Sequence, residues 1–359
     1  MENVLCRQFV SGGMQAVQFA AHGGRDVIEY SEFPNPTIER DEVLVDVKAA
    51  SVNHLDVWTR RGLPGIDVEM PHIPGSDMAG VVSETGADVT RFDPGDHVAL
   101  IAGVAGDTDE FTRKGDPTLA ADYHLIGEHV RGVHSEYTAV PAANLVPVPD
   151  DVPWNIAGST SLVFQTAWRM LIDRAELRTG EHVLIHGASG GVGHAAVQIA
   201  SHAGATVSAT ASTERKLAHA ADCGAEHLIN YENSSFADEI YQITDGRGVD
   251  VVVDHVGEAT YEGSLKSLRK GGRLITCGAT TGPNPDANLN RIFWNQLQII
   301  GSTMATPGQA EEVLDLVWDG TFEPRIRETL PMSDAARAHE LLENREGFGK
   351  VVVIPDSEY

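Results

Sequence analysis

The sequence predicts an α/β protein made of a β-rich N-terminal domain and a doubly wound, six-stranded parallel sheet. Three observations predict it. A chain of 359 residues with 42% hydrophobic content is long enough for two cores. Residues 14–150 break into short apolar runs separated by turn residues, the pattern of a β-rich region. From residue 151 apolar strands alternate with helical stretches, and that alternation builds parallel sheets with crossover helices.

Residues 1–13 read as an extension, because the apolar pattern starts at Met14. The β-rich domain is expected over 14–151, with strands at 15–19, 27–30, 42–50, 79–85 and 97–101. Proline-rich hinges stand at Phe33-Pro34-Asn35-Pro36 and Pro71-His72-Ile73-Pro74. The stretch 102–127 has little periodicity and predicts a surface lobe. The parallel sheet is expected over 152–304, with strands at 183–185, 206–210, 227–229, 250–254, 273–277 and 297–300. Helices at 193–203, 213–223, 235–244, 259–268 and 287–295 join them. Residues 305–359 hold two helices and a last strand at 350–354, too few for a third domain, so they are expected to return to the N-terminal one.

Val183, Leu184 and Ile185 lead into the run Gly187-Ala188-Ser189-Gly190-Gly191-Val192-Gly193, and a helix of small residues follows. Strand, glycine turn and helix form the context of a dinucleotide site. Gly190 lets the backbone approach a pyrophosphate, Gly193 lets the helix pack on the strand, and the helix N-terminus offers free N–H groups to phosphate. Ala188 stands where the glycine pattern has its first glycine. The second strand ends in Ala211-Ser212-Thr213-Glu214-Arg215-Lys216, without the acid that would hold a ribose 2′-hydroxyl. Ser212, Arg215 and Lys216 favour a 2′-phosphate and hence NADPH, while Glu214 keeps NADH open.

Composition narrows the function classes. The 26 basic and 52 acidic residues give a net charge of −26, spread over the whole chain, which argues against nucleic-acid binding. It suggests a halophilic, cytoplasmic protein whose self-repulsion is screened by salt. No apolar run predicts a membrane span. Three scattered cysteines exclude a disulfide framework and a cysteine zinc cluster.

Several motifs together resemble the medium-chain dehydrogenase/reductase superfamily: Gly75-Ser76-Asp77-Met78-Ala79-Gly80, Phe92-Asp93-Pro94-Gly95-Asp96, the glycine turn, Val249-Asp250-Val251 and Gly271-Gly272-Arg273. The resemblance implies a GroES-like catalytic domain and a Rossmann NADP-binding domain. The run Ser51-Val52-Asn53-His54-Leu55-Asp56-Val57-Trp58 is most similar to the quinone oxidoreductase branch. Zinc alcohol dehydrogenases of the superfamily carry ligands where Asn53, Ser76 and Leu162 stand, and a proton-relay hydroxyl where Leu55 stands. Their structural zinc cysteines fall at Gly106, Asp109, Thr112 and Ala120. No zinc is therefore expected, although Asp107, Asp109, Glu110 and Asp116 leave a hard cation in the lobe open.

The resemblance also implies site residues. Asn53 is expected to hydrogen-bond a substrate carbonyl, Trp58 to stack on a flat substrate, and His54 to supply a proton or touch a phosphate. Asp56 and Arg60 are expected to pair and fix their loop. Thr166, Gly278 and Thr303 are expected at the nicotinamide, and Tyr231 near the adenosine phosphate. The remaining histidines His72, His97, His124, His129 and His134 show no metal spacing and read as surface or packing residues.

The function expected is NADPH-dependent hydride transfer to a small-molecule quinone or activated alkene. The alternatives are a zinc-type alcohol or polyol dehydrogenase with ligands displaced to His54, Asp56 and Asp77, an enoyl thioester reductase, and a non-catalytic NADPH-binding protein. By analogy with the superfamily, the strand 297–300 is expected to pair with its copy in a homodimer or a dimer of dimers.

Overall fold

The computed structural model describes residues 12–106, 109–345 and 347–359. The expected extension thus lies almost wholly outside the described residues, as does Asp107. The chain forms an α/β fold with a GroES-like β-rich part and a Rossmann-like parallel sheet. Strands His182–Ile185, Thr206–Ala211, His227–Asn230, Val249–Val253, Leu268–Thr276 and Gln298–Gly301 form the parallel sheet, in spatial order 3-2-1-4-5-6. Every pairing in it is parallel. Val249–Val253 is buried along its whole length, as expected of a strand covered on both faces. Asp250 is tolerated there because Arg247, Arg269 and the His182 N–H neutralise its carboxylate, which is held well below the usual range.

The β-rich part centres on the long strand Glu42–Val52, which pairs antiparallel with Met78–Thr85 and Tyr137–Pro141. The closing strand Lys350–Ile354 adds antiparallel to the C-terminal half of Glu42–Val52, and Ile326–Pro331 adds parallel to its outer edge. Residues from the start and the end of the chain therefore meet in one sheet, and this junction builds half of the site.

One local reading changes and one helix is added. Residues 27–30 are not one strand: a 3-10 turn, Arg25–Val27, precedes the strand Glu29–Phe33, which pairs with Met14–Gln18. The helix Trp154–Trp168 had no amphipathic signal, because it is buried nearly all round between the two sheets. At Gly158 it lies so close to the strand below that a Cβ would sit 2.5 Å from the Ala49 carbonyl oxygen. The described residues of the lobe 102–127 hold an antiparallel pair of two-residue strands, Gly103–Val104 and His124–Leu125, the short helix Glu110–Arg113 and a 3-10 turn. No helix among the described residues is long and apolar enough to cross a membrane.

Candidate active site

A cleft of about 810 Å³ runs between the parallel sheet and the β-rich part. One half of it is made of backbone. After the strand His182–Ile185 the chain turns through Gly187, at φ +59°, and enters the helix Gly191–His202. A Cβ at Gly193 would meet the Gly187 carbonyl oxygen at 2.1 Å, so only glycine lets the helix start this close to the turn. At Gly190 a Cβ would meet nothing nearer than 3.4 Å; the space above it is open to the cleft. The Gly191, Val192 and Gly193 N–H groups precede the first intrahelical bond and point positive dipole at that space. Ser189 lines the cleft beside them, while Ala188 is buried beneath the turn and donates its N–H to Thr210 O at 3.2 Å. This cradle fits a dinucleotide pyrophosphate.

Next to it, the expected 2′-phosphate residues separate. Lys216 lines the cleft and donates to Ser212 Oγ at 3.1 Å and to Arg345 O at 2.8 Å. Burial and the nearby Arg327 and Arg345 pull its ammonium pKa down. Arg327 and Arg345 line the same cleft. Three cations converging in a chain of net charge −26 mark an anion site. Arg215 instead lies exposed over the Phe348 ring, 5.4 Å from its centroid, and does not line the cleft. Glu214 accepts from Asn230 Nδ2 at 2.9 Å. Tyr231 lines the cleft with 43% of its surface exposed. Arg327 and Arg345 were not foreseen: they lie more than a hundred residues from the turn, in stretches with no motif.

The other half of the cleft is made of side chains. Helix His54–Arg61 begins at Asn53, and Asp56 locks its start by accepting the Asn53 N–H at 2.7 Å and the Gly75 N–H at 3.0 Å. Both Asp56 oxygens are thus engaged, and the expected Asp56–Arg60 pair does not form. Arg60 turns to the return segment, where it pairs with Glu343 and lies 3.3 Å from His339 Nδ1. Asn53, 6% exposed, directs its amide nitrogen to Asp77 Oδ2 at 3.3 Å and to Ser51 O at 3.5 Å. Its amide oxygen accepts from Lys350 Nζ. Lys350 is itself buried, and its ammonium also reaches Asp77 Oδ2 at 3.3 Å and Val52 O at 3.5 Å. Asp77 is completed by Ser51 Oγ at 3.0 Å and the Leu162 N–H at 2.9 Å. The network is closed, with one buried cation and one buried anion at its centre.

Lys350 also joins the two halves. Its stem passes under the glycine turn, 3.2 Å from where a Gly191 Cβ would be, and the preceding Gly349 N–H donates to Ser189 O at 2.9 Å.

His54 and Trp58 face the cleft from the first turns of their helix, their rings 6.1 Å apart. His54 is exposed to the open cleft, and the surrounding walls together with His255, Arg345 and Lys350 push its pKa below the usual imidazole value, so it is neutral at pH 7. The Trp58 indole lies 3.7 Å from where a Gly278 Cβ would be, spanning from one domain to the other. Thr303 and Thr166 line the same end, and Thr166 Oγ1 donates to Leu162 O at 2.6 Å.

The residues at the zinc positions do not fit zinc. Asn53 offers an amide already bonded on both sides, Ser76 Oγ donates to Ile126 O at 2.7 Å, and Leu162 has no donor atom. Asp56 and Asp77, the displaced ligands considered above, are held by backbone and by Lys350. Among the described residues no three His, Cys, Asp or Glu converge on one point. In the lobe Asp109 caps its helix through the Phe111 N–H, Glu110 pairs with Lys114 and Asp116 with Arg169.

Known proteins share this architecture. Residues 39–150 match the family model of the alcohol dehydrogenase GroES-like domain, and residues 191–319 that of the zinc-binding dehydrogenase. The chain is 32% identical to a quinone oxidoreductase of Pseudomonas aeruginosa, over 94% of this chain and 99% of that one. It is 31% identical to a crotonyl-CoA carboxylase/reductase of Cereibacter sphaeroides, over 94% of this chain and 86% of the other. A solved structure described as an NAD-dependent alcohol dehydrogenase is 40% identical with a TM-score of 0.92, covering 95% of this chain and 99% of its own.

Proposed function

The chain belongs to the medium-chain dehydrogenase/reductase superfamily, in its quinone oxidoreductase-like branch, and is an NAD(P)H-dependent oxidoreductase; from that premise we propose that it reduces a quinone or an activated alkene with NADPH and without zinc. The observation that carries the reading is the closed Lys350–Asp77–Asn53 network, which engages Asn53 at one zinc-ligand position and the Leu162 backbone at another. A ketone or alcohol, which lacks conjugation, gains most from a Lewis acid at that point. An enone or quinone accepts hydride through its own conjugation, and needs only orientation and a hydrogen bond to its carbonyl oxygen.

The bound nicotinamide supplies the hydride. The helix N-terminus at Gly191 holds the pyrophosphate, and Lys216 with Arg327 and Arg345 holds the 2′-phosphate. Thr166, Gly278 and Thr303 position the nicotinamide end. Trp58 stacks on a flat substrate and shields it from water. The Asn53 N–H directed at Ser51 O makes one of the two longest contacts of its network, 3.5 Å, and is the donor a substrate carbonyl captures. Enoyl thioesters fall within the same chemistry.

The test is NADPH consumption over quinones, enones, enoyl thioesters and aldehydes, with metal analysis of the same protein. Turnover that survives chelation is expected. Stoichiometric zinc required for activity, with alcohols as the best substrates, would reverse the reading in favour of alcohol oxidation.

Two further properties belong to the reading. The edge strand Gln298–Gly301 and the adjacent exposed Leu289, Phe293 and Trp294 form the face through which two copies pair into a homodimer. The dispersed charge of −26 suits a cytoplasm of high salt, so activity and melting temperature rise with KCl.

A further inference from the structure

The reduction proposed above ends with a proton, and the residues already assigned do not deliver one. Trp58 N–H is not an acid. His54 is neutral at pH 7, its pKa pushed down, and so holds no imidazolium proton to give. Lys350 is bonded to three acceptors. His186 is held between Thr210 and Ser264.

Glu128 lines the same cleft as Asn53, His54, Trp58 and Leu162. It sits on the turn after Leu125, which packs on the Gly75–Ser76 loop: a Cβ at Gly127 would meet Gly75 O at 2.3 Å, and Ser76 Oγ donates to Ile126 O. Its side chain is only 13% exposed. His129 Nδ1 lies 3.3 Å from its Oε2. That nitrogen already accepts the Leu125 N–H at 3.2 Å, so it carries a lone pair and not a hydrogen. A carboxylate beside that occupied lone pair is a repulsive contact, and protonation of Glu128 relieves it. The other charged or titratable groups facing it, Asp56 from helix His54–Arg61 and Tyr123 from the lobe, offer no compensating cation. Burial and the Asp56 carboxylate accordingly push Glu128 up to about 7, while burial pushes His129 down.

We propose that Glu128 is the general acid of the enone reduction, a catalytic residue that protonates the substrate after hydride has reached its β-carbon. This rests on the reading given under Proposed function. Hydride addition leaves the former C=C electron pair as an enolate. That pair takes the Glu128 proton at the α-carbon: the carboxyl O–H bond breaks, a C–H bond forms, and the carboxylate regains a proton from water at the cleft mouth. Redox change is confined to the substrate and cofactor, and the glutamate ends each cycle as it began.

The test compares wild-type enzyme with Glu128→Gln and Glu128→Asp. NADPH fluorescence titration serves as a check that each is folded and loads cofactor. For an enone, Glu128→Gln is expected to lower kcat about 10²-fold with little change in KM. The wild-type rate should fall as pH rises through about 7, since the acid must be protonated, and this alkaline limb should vanish in the variant. Glu128→Asp should restore part of the rate and bring the limb back. In the free protein, the infrared carboxyl band lost on Glu128→Gln should titrate near neutrality. A band titrating below pH 5, or a variant that keeps the enone rate and its alkaline limb while the wild type is active, overturns the assignment alone. A wild type that loads NADPH and reduces no enone overturns the underlying reading and this role with it.

Discussion

The two halves of the cleft are built on different physics. The cofactor half uses backbone: a turn, a helix start and a glycine where a Cβ would lie 2.1 Å from a carbonyl oxygen. The substrate half uses side chains that form a closed charge network from strands at opposite ends of the chain. A backbone site tolerates any sequence that keeps the turn. A charge network depends on each of its members, because removing one leaves the others buried and unpaired.

The largest effect expected from this contrast is at Lys350. Lys350→Met keeps the stem beneath Gly191 but leaves Asp77, fully buried, without its cation. A loss of about 3–5 kcal/mol of stability is expected, read as a lower denaturant midpoint at constant slope. Asp77→Asn in the same chain should recover much of it, because the double variant buries no lone charge. A Lys350→Met protein as stable as the wild type would mean that the network contributes nothing to the fold.

This contrast also explains what could be read in advance. The parallel sheet was legible because each strand is followed by its own helix and the glycine turn occupies seven consecutive residues. The side-chain half of the cleft was legible only at Asn53, His54 and Trp58, which share one helix start and line it. Lys350 and Asn53 are 297 residues apart, and no local pattern says that a closing strand will place a lysine under a turn from another domain. Glu128 and Arg345 are hidden in the same way: a single charge in a loop reads as a solvated one until the fold shows what encloses it.

Lys216 tests whether the anion site sets cofactor choice. Lys216→Met removes a charge-assisted contact worth about 1.5–3 kcal/mol, so the ratio of kcat/KM for NADPH over NADH should fall roughly ten- to a hundredfold. Arg327→Met should act in the same direction. A ratio that stays constant in both would place the 2′-phosphate elsewhere and bring back Glu214 as a ribose ligand.

Gly193 tests the backbone half directly. Gly193→Ala forces a methyl against Gly187 O, and the strain costs about 1–3 kcal/mol, taken up by moving the helix start away from the turn. Cofactor affinity should fall along with melting temperature, with the enone-to-quinone activity ratio unchanged, since no side chain near the substrate moves. A change in that ratio would mean that the two halves are coupled through Lys350 more tightly than their separate construction implies.

The smallest effect is expected at Arg215, where residue pattern and geometry diverge. By its place after Ser212 it belongs with Lys216 as a phosphate contact; in the fold its guanidinium covers the Phe348 ring outside the cleft lining. Arg215→Ala should then cost about 0.5–1 kcal/mol of stability, the size of an exposed cation–π contact. The NADPH preference should move far less than in Lys216→Met, measured in the same pair of cofactor titrations. Equal losses in the two variants would show that Arg215 swings from Phe348 onto the phosphate when cofactor binds. The backbone half of the cleft would then also depend on a charge that moves into place on binding.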